Sequence, residues 1–536
     1  MMGGFALPAL GRGEPPAFAN TSACREWLSG LPLANPAQAQ AKLLEQINLL
    51  NRFALPAGER LRLLELLRES VAFVQSECAK KFAARPLPLT EVEQAAFEAN
   101  GKLWQALCTG YQHCLEACLD GDQEMLPQGS LIVQRALWTL AGEQLDLYRA
   151  WHETGPGFWR RLHAIFAVGE QLGADRQEVR DLLLDLRSTT VHAAYVYSLL
   201  LHAASPYELS PRQLNQVQRW LGRWSGKVVL SSTRPTGLKL PPLVVDVAGE
   251  RPGTTVPEES GNLRWLSVDG LAHSLKKRIV SLQKDLTPAS LGLGEDCVQP
   301  ACEMLLRHIY DRCCKGGTPR SQPRTPSTAT SQLVAGYDGI YYQLAGKLFQ
   351  QPANSEELTK RQQDEIALFG QRATRFEQQY VREQGFQSEQ WRIVDESPGG
   401  MRLMRPVGQG GQRVAAGQLL ALQPPGSAGF RLAAVRWLTL TVNGEMHIGL
   451  RMIPGAPQPV SVCATGLSSV VGPRCRPGFL LPAVEALRCP ASVIFPAAAF
   501  RVERIVEILA EGSTQVKLKR IVEHGLDFER AEYQKA

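Results

Sequence analysis

The chain has no long hydrophobic run. Among its 536 residues the longest apolar segments, at 195–204 and 493–500, are far shorter than the ~18–20 residues that a membrane-spanning helix needs. The first residues, from Met1 to Pro8, lack the basic stretch and the continuous apolar core of an export signal. We therefore expect a soluble, cytoplasmic protein without a membrane span.

The sequence also has little excess charge of either sign. Its 58 basic and 52 acidic side chains leave a formal net charge of +6. That excess is too small to indicate a nucleic-acid-binding surface over the whole molecule. We therefore expect no nucleic-acid partner, and any site for an anion must be local.

Cysteines are few, and their positions do not suggest a disulfide framework. Several of the twelve, such as Cys108, Cys114 and Cys118, fall inside helical patterns, where a thiol behaves as a small apolar side chain. This pattern favours a reducing compartment.

Motifs for catalysis and for metal binding are missing as well. There is no Gly-x-Ser-x-Gly elbow, and the glycine-rich turn at 408–411 lacks the Lys-Ser/Thr of a phosphate loop. His152 and Glu153 lack the second helical histidine of a zinc site, and we expect His113 to lie in a helical core. We predict no catalytic residue, no metal and no cofactor, and hence a protein that is not an enzyme.

The first half of the chain predicts helices. A Pro/Gly-rich start, 1–36, is interpreted as flexible, and 37–205 as a helical bundle or array. Thr90 and Glu93 form a capping-box signature at the start of one helix. Apolar residues of the preceding helix recur three and four positions apart: Leu64, Leu67, Val71, Val74 and Cys78. Such spacing places them on one buried stripe.

The second half predicts mostly strands, so the fold class is multidomain α+β. We interpret 206–314 as a small mixed α/β segment and 315–331, rich in Pro, Ser and Thr, as a flexible linker or arm. Short apolar segments broken by Gly and Pro predict an antiparallel β-barrel at 332–465, interrupted by a helical insertion at about 355–385. A small β-subdomain is expected at 473–536.

Two short motifs carry the functional argument. Arg320 and Arg324 form an R-x-x-x-R in the arm, and Asp395, Ser397 and Gly400 form a D-x-S-x-x-G between two predicted strands. The order of these motifs and the strands around them resemble PilZ domains. The resemblance continues through three further strand segments: 417–422, 434–437 and 447–452.

The resemblance implies both a fold and a ligand. PilZ domains are six-stranded β-barrels, and many bind cyclic di-GMP through the two motifs. It assigns Arg320 and Arg324 to gripping the phosphates and bases, and Asp395, Ser397 and Gly400 to the guanine pocket. The residue chemistry agrees, because a guanidinium is a planar charged fork suited to phosphate and to guanine.

The spacing departs from the family pattern. Arg324 and Asp395 are 71 positions apart, and the predicted helix lies between them. If this insertion grows from a hairpin loop, the site survives, since loop length costs little free energy. Arg372 and Arg375, on the predicted helix, are the reserve candidates.

The sequence therefore leaves two alternative functions open. In the first, cyclic di-GMP orders the arm against the barrel, and the helical region contacts an unidentified protein partner. In the second, the chain is an interaction scaffold whose barrel binds no nucleotide, and the arginines are solvated linker charges.

Overall fold

The computed structural model divides the chain into two compact units. It describes residues 5–11, 14–183, 188–254, 261–316, 323–350, 386–464, 475–498, 500–510 and 512–536. The first unit comprises Met1–Arg85 and Leu89–Pro319, and the second comprises Pro86–Pro88 and Arg320–Ala536. No helix within the described ranges is long and apolar enough to cross a membrane.

The first unit is mainly helical. Its helices are α1 (Thr21–Ser29), α2 (Pro36–Leu50), α3 (Ala57–Ala79), α4 (Glu91–Leu119), α5 (Gly129–Arg149), α6 (Phe158–Gln171), α7 (Val191–Ala203), α8 (Pro211–Trp224), α9 (Asp269–Leu282) and α10 (Ala301–Ile309). Strands β1 (Glu178–Arg180) and β2 (Ser188–Thr190) form a hairpin, and β3 (Val229–Ser231), β4 (Leu243–Asp246) and β5 (Leu263–Ser267) form a sheet in the order β3-β5-β4. The predicted helical region is confirmed.

Local sequence signals set the helix ends and faces. The Thr90 side chain accepts from the Glu93 backbone, and the Glu93 carboxylate accepts from the Thr90 backbone, which confirms the capping box of α4. The predicted stripe on α3 is buried along its whole length. One continuous apolar core runs from Phe18 to Cys314, so the mixed segment at 206–314 packs with the helices.

A buried ionic network crosses this core. Asp181 has no exposed surface and accepts two hydrogen bonds from Arg68, at 2.6 and 2.7 Å, and one from Gln134 at 3.0 Å. Arg135 lies 3.3 Å from the same carboxylate. The Arg68 guanidinium also lies over the Trp138 ring, 4.3 Å from its centre. Removing one partner of such a pair leaves an uncompensated buried charge.

The second unit begins with a six-stranded antiparallel barrel. Its elements are β6 (Thr325–Pro326), β7 (Thr330–Ala335), α11 (Tyr337–Ala345), β8 (Glu389–Ser397), β9 (Gly400–Pro406), β10 (Leu419–Gln423), β11 (Arg431–Leu440) and β12 (Glu445–Met452). The order β8-β7-β10-β11-β12-β9 closes because β9 also pairs with β8, and the short β6 extends the line of β7 along β8. The predicted PilZ-like barrel is confirmed.

The C-terminal strands form a second closed barrel. They are β13 (Gln458–Ala464), β14 (Cys475–Leu481), β15 (Ser492–Pro496), β16 (Ile505–Leu509), β17 (Ser513–His524) and β18 (Phe528–Lys535), in the order β13-β14-β15-β18-β17-β16. The expected small β-subdomain is thus a complete barrel. Strand β13, which the sequence interpretation counted within 332–465, pairs with β14 and β16 of this second barrel.

Four cysteines are paired, although the positions of the cysteines in the sequence did not suggest a disulfide framework. Disulfides join Cys297 to Cys302 and Cys463 to Cys475. Cys463 and Cys475 lie directly opposite each other on β13 and β14. Opposed strand positions bring two side chains together, and a spacing of 12 residues in the sequence does not reveal that pairing.

The two barrels share an apolar junction. On the C-terminal barrel it is formed by Phe479, Leu481, Ile494 and Phe528, and on the first by Val334, Leu419, Ala421, Leu432 and Ala434. Helix α11 contributes Tyr337, whose ring stacks on Phe479 with centres 5.3 Å apart. The Leu419 backbone donates to the Asp527 carboxylate at 2.8 Å. The C-terminal barrel therefore covers the outer face of the first barrel near β10.

Asp181→Asn tests the buried network of the first unit. The substitution leaves the Arg68 guanidinium buried without a carboxylate, so we expect a loss of about 3 kcal/mol in the free energy of unfolding. Urea unfolding followed by tryptophan fluorescence measures it, since eight of the ten tryptophans lie in this unit. The exposed pair of Glu208 and Arg312 supplies the control Glu208→Gln, with an expected loss under about 1 kcal/mol. Equal losses in the two variants would contradict the account.

Candidate functional site

The second motif lies on the hairpin of β8 and β9. Ser397 pairs with Gly400 across a two-residue turn, and the Ser397 hydroxyl donates to the Gly400 carbonyl at 3.2 Å. Asp395 pairs with Arg402 of β9. The motif therefore forms a compact loop with a carboxylate at its base.

The first motif reaches this loop through Arg324. Thr325 and Pro326 of β6 pair with Glu396 and Asp395 of β8, so the backbone carries Arg324 to the carboxylate. The two side chains form an ion pair, and each is only about one fifth exposed, at 22% and 21%. The 71 positions between Arg324 and Asp395 therefore do not separate them in space.

Gly400 is required by a close approach between strands. A Cβ atom at this position would collide with the Leu450 carbonyl of β12, and the nearest Nη of Arg324 lies 3.8 Å from where that Cβ would be. The Gly400 backbone does not adopt a positive φ. A side chain at this position would therefore push β9 and β12 apart next to the Arg324 guanidinium.

The remaining sequence candidates cannot be placed. Arg320, Arg372 and Arg375 lie outside the described residues, as does the predicted helical insertion at 355–385. Of the five motif residues, the structure brings together Arg324, Asp395, Ser397 and Gly400.

The sequence interpretation missed a row of side chains beside the motif. Asp395, Arg402, Gly449 and Trp437 are paired in register across β8, β9, β12 and β11. The indole of Trp437 covers Gly449, where a Cβ would overlap the ring. The Arg402 guanidinium carbon lies 6.0 Å from the centre of the Trp437 ring. The row therefore presents a carboxylate, a guanidinium and a half-buried aromatic face.

Two β-bulges turn this row outward. The neighbouring row, Ile393, Leu403, Ile448 and Leu438, has no exposed surface and faces the barrel interior. Strict alternation from Ile393 would point Asp395 inward, but an extra residue between them shifts the register. A second bulge before Trp437 does the same on β11. The geometry of the site therefore depends on two bulges that the sequence pattern did not predict.

His447 is held neutral beside Arg402. The Nη2 of Arg402 donates to the His447 Nδ1 at 3.3 Å, and the His447 Nε2 lies 3.3 Å from the Glu445 carboxylate. Since a guanidinium only donates, Nδ1 must be unprotonated, and Nε2 then carries the proton toward Glu445. Burial and then the Arg402 charge lower the pKa of His447 below its usual range. The imidazole is therefore an acceptor that orients Arg402.

Comparison with protein families matches most of the chain in three consecutive parts. Residues 22–236 match the cyclic-di-GMP receptor FimW N-terminal domain, 350–459 its middle PilZ domain, and 468–536 the FimW C-terminal beta-barrel domain. The chain belongs to the FimW family. The PilZ match of this FimW-family chain starts after Arg324, so it covers the second motif and not the first.

A curated relative supports the assignment along nearly the whole chain. The cyclic-di-GMP receptor FimW of Pseudomonas aeruginosa is 24% identical over 528 residues, which cover 91% of this FimW-family chain and 85% of the relative. No solved structure matches. The two β-barrels correspond in order to the middle and C-terminal domains of the family.

The orientation of His447 predicts a measurable titration. Arg402→Gln removes a charge that disfavours the imidazolium, so we expect the pKa of His447 to rise toward its ordinary value. Glu445→Gln removes the carboxylate that favours the imidazolium, so the pKa should fall further. Proton NMR titration of the full chain measures both, with His447→Gln to assign the resonance. Identical titrations in wild type and Arg402→Gln would refute the arrangement.

Proposed function

We propose that this chain is a receptor that binds cyclic di-GMP on the outer face of β8, β9 and β12, with no catalytic step. The observation that carries the proposal is the meeting of Arg324 with Asp395 beside the Ser397–Gly400 turn. The names of the matched family and of the curated relative support it, because both are described as cyclic-di-GMP receptors.

The residues of the site suit the parts of the ligand. Guanine presents ring and exocyclic N–H donors on one edge and the acceptors O6 and N7 on another. Asp395 accepts from the donors, while Arg324 and Arg402 donate to O6, N7 or phosphate oxygen. Trp437 offers a surface on which a base stacks, as aromatic side chains do for exposed bases. Arg320 joins Arg324 on the ligand in this proposal.

Binding exchanges one ion pair for another. Without ligand, Asp395 holds Arg324; with ligand, Arg324 turns to a phosphate and frees the carboxylate for guanine. The backbone pairing of β6 with β8 keeps Arg324 within reach in both states. The exchange limits the cost of ordering the arm, since its C-terminal end is already fixed.

The partner contact belongs to the helical unit in this proposal. None of the placed motif residues lies there. A cavity of about 370 Å³ between its helices is lined mainly by apolar groups, including Trp138, Leu145 and Tyr197. Such a recess suits an apolar side chain of a cytoplasmic protein partner.

Isothermal titration of the full chain with cyclic di-GMP tests the proposal. Arg324→Gln removes a charge-assisted contact of about 1.5–3 kcal/mol, so affinity should fall by about 10- to 150-fold. The affinity of the Arg320→Gln variant for cyclic di-GMP should fall by a similar factor.

The control is Arg431→Gln, an exposed arginine at the start of β11 that removes the same charge away from the motif. Its affinity should stay within about twofold of wild type. No binding heat in wild type would favour the alternative, a scaffold in which the Arg324–Asp395 pair only fastens the arm.

A further inference from the structure

The outer face that carries the motif continues onto the C-terminal barrel. Four residues are paired in register across β8, β9, β12 and β11, two positions along from the row of Asp395 and Arg402: Ser397, Gly400, Arg451 and Ala434. Ala434 is already part of the apolar junction with the second barrel. Arg451 thus lies between the Ser397–Gly400 turn and that junction.

Arg451 is tied to the C-terminal barrel by charge. Its guanidinium forms an ion pair with Glu523 of β17, which is only 13% exposed. Glu523 in turn pairs in register with Arg530 of β18. Arg451, Glu523 and Arg530 therefore occupy one edge of the junction.

Arg530 is buried, and one nitrogen of its guanidinium has no hydrogen-bond partner among the described residues. It is 2% exposed, and it faces the junction together with Ile494, its partner on β15. Its Nε donates to the Ser492 hydroxyl at 2.7 Å, but its Nη2 has no partner within the described part of the chain. A buried guanidinium nitrogen without an acceptor costs free energy until an anion or water supplies one.

Positive charge outweighs negative charge at this edge. Arg436, in the bulge of β11, is exposed and has no ion pair with any described residue. Burial, followed by the charges of Arg436 and Arg530, lowers the pKa of Arg451. Among the described residues, these three arginines have one ion pair, that between Arg451 and Glu523. Two of the three guanidinium charges therefore have no carboxylate partner within the described part of the chain.

We propose that Arg436, Arg451 and Arg530 form a phosphate-binding subsite through which the C-terminal barrel takes part in nucleotide recognition. The subsite rests on the proposed function in one respect, that the ligand is a phosphodiester bound at the motif. Arg324 and Arg402 hold one end of that ligand, and the cluster receives a phosphate of the other. The ligand then bridges both barrels and stiffens their junction.

Binding measurements on matched variants test the subsite. In isothermal titrations of the full chain with cyclic di-GMP, Arg436→Gln and Arg451→Gln should each lower affinity at least about fivefold. Arg431→Gln, on the same strand as Arg436, should change it less than about twofold. Glu523→Gln breaks the same ion pair as Arg451→Gln but keeps the cation, so it should bind as tightly as wild type or more tightly. Equal losses in Glu523→Gln and Arg451→Gln would overturn the subsite in favour of a structural ion pair.

Cys489 supplies a second readout on the C-terminal barrel. Its thiol interacts electrostatically with both Arg451 and Arg530, and it is half-buried, whereas every other free cysteine is buried. Cyclic di-GMP should slow the alkylation of Cys489 by iodoacetamide at least about fivefold. Mass spectrometry measures the rate of this alkylation. Wild-type binding without this protection, together with unchanged affinity in Arg436→Gln, would overturn the subsite while leaving the proposed receptor intact.

Failure of the proposed function gives a different pattern. If wild type binds no cyclic di-GMP, inorganic pyrophosphate becomes the probe in the same alkylation assay. Protection of Cys489 in wild type and its loss in Arg436→Gln would support the phosphate subsite independently of the nucleotide. The absence of protection would reject it.

Discussion

The site depends on one ion pair, between Arg324 and Asp395. It joins two residues that are 71 positions apart in the sequence, because β6 pairs with the stretch of β8 that carries the carboxylate. Arg402 is paired in register with Asp395 on the next strand, so the carboxylate lies between two arginines. Two guanidinium groups, of Arg324 and Arg402, are therefore available at this row to donate to an anionic dinucleotide.

Backbone irregularities turn an ordinary barrel into this site. The bulges before Asp395 and Trp437 reverse the in–out alternation of β8 and β11 at the same row, and Gly449 clears the space that the indole fills. The C-terminal barrel packs against the first barrel at Ala434 and contacts Arg451 through Glu523. The motif hairpin of β8 and β9 therefore lies next to β12, the strand that carries Arg451.

Much of this architecture could be predicted from the sequence because its causes are local. The capping box of Thr90 and the stripe on α3 follow from spacing within one helix, and the second motif marks the hairpin of β8 and β9. The closure of the second barrel, the transfer of β13 to it and the Cys463–Cys475 bond could not be predicted, since each depends on which distant strands pair. The roles of Arg402 and Trp437 could not be predicted for the same reason. Their alignment with Asp395 requires the strand register and both bulges.

A crystal structure of the full chain with cyclic di-GMP would test the central claim most directly. The account predicts nucleotide over the row of Asp395, Arg402 and Trp437, with the Arg324 guanidinium moved from the carboxylate to a phosphate and with guanine on Asp395. Nucleotide bound elsewhere, with Arg324 still paired to Asp395, would contradict it.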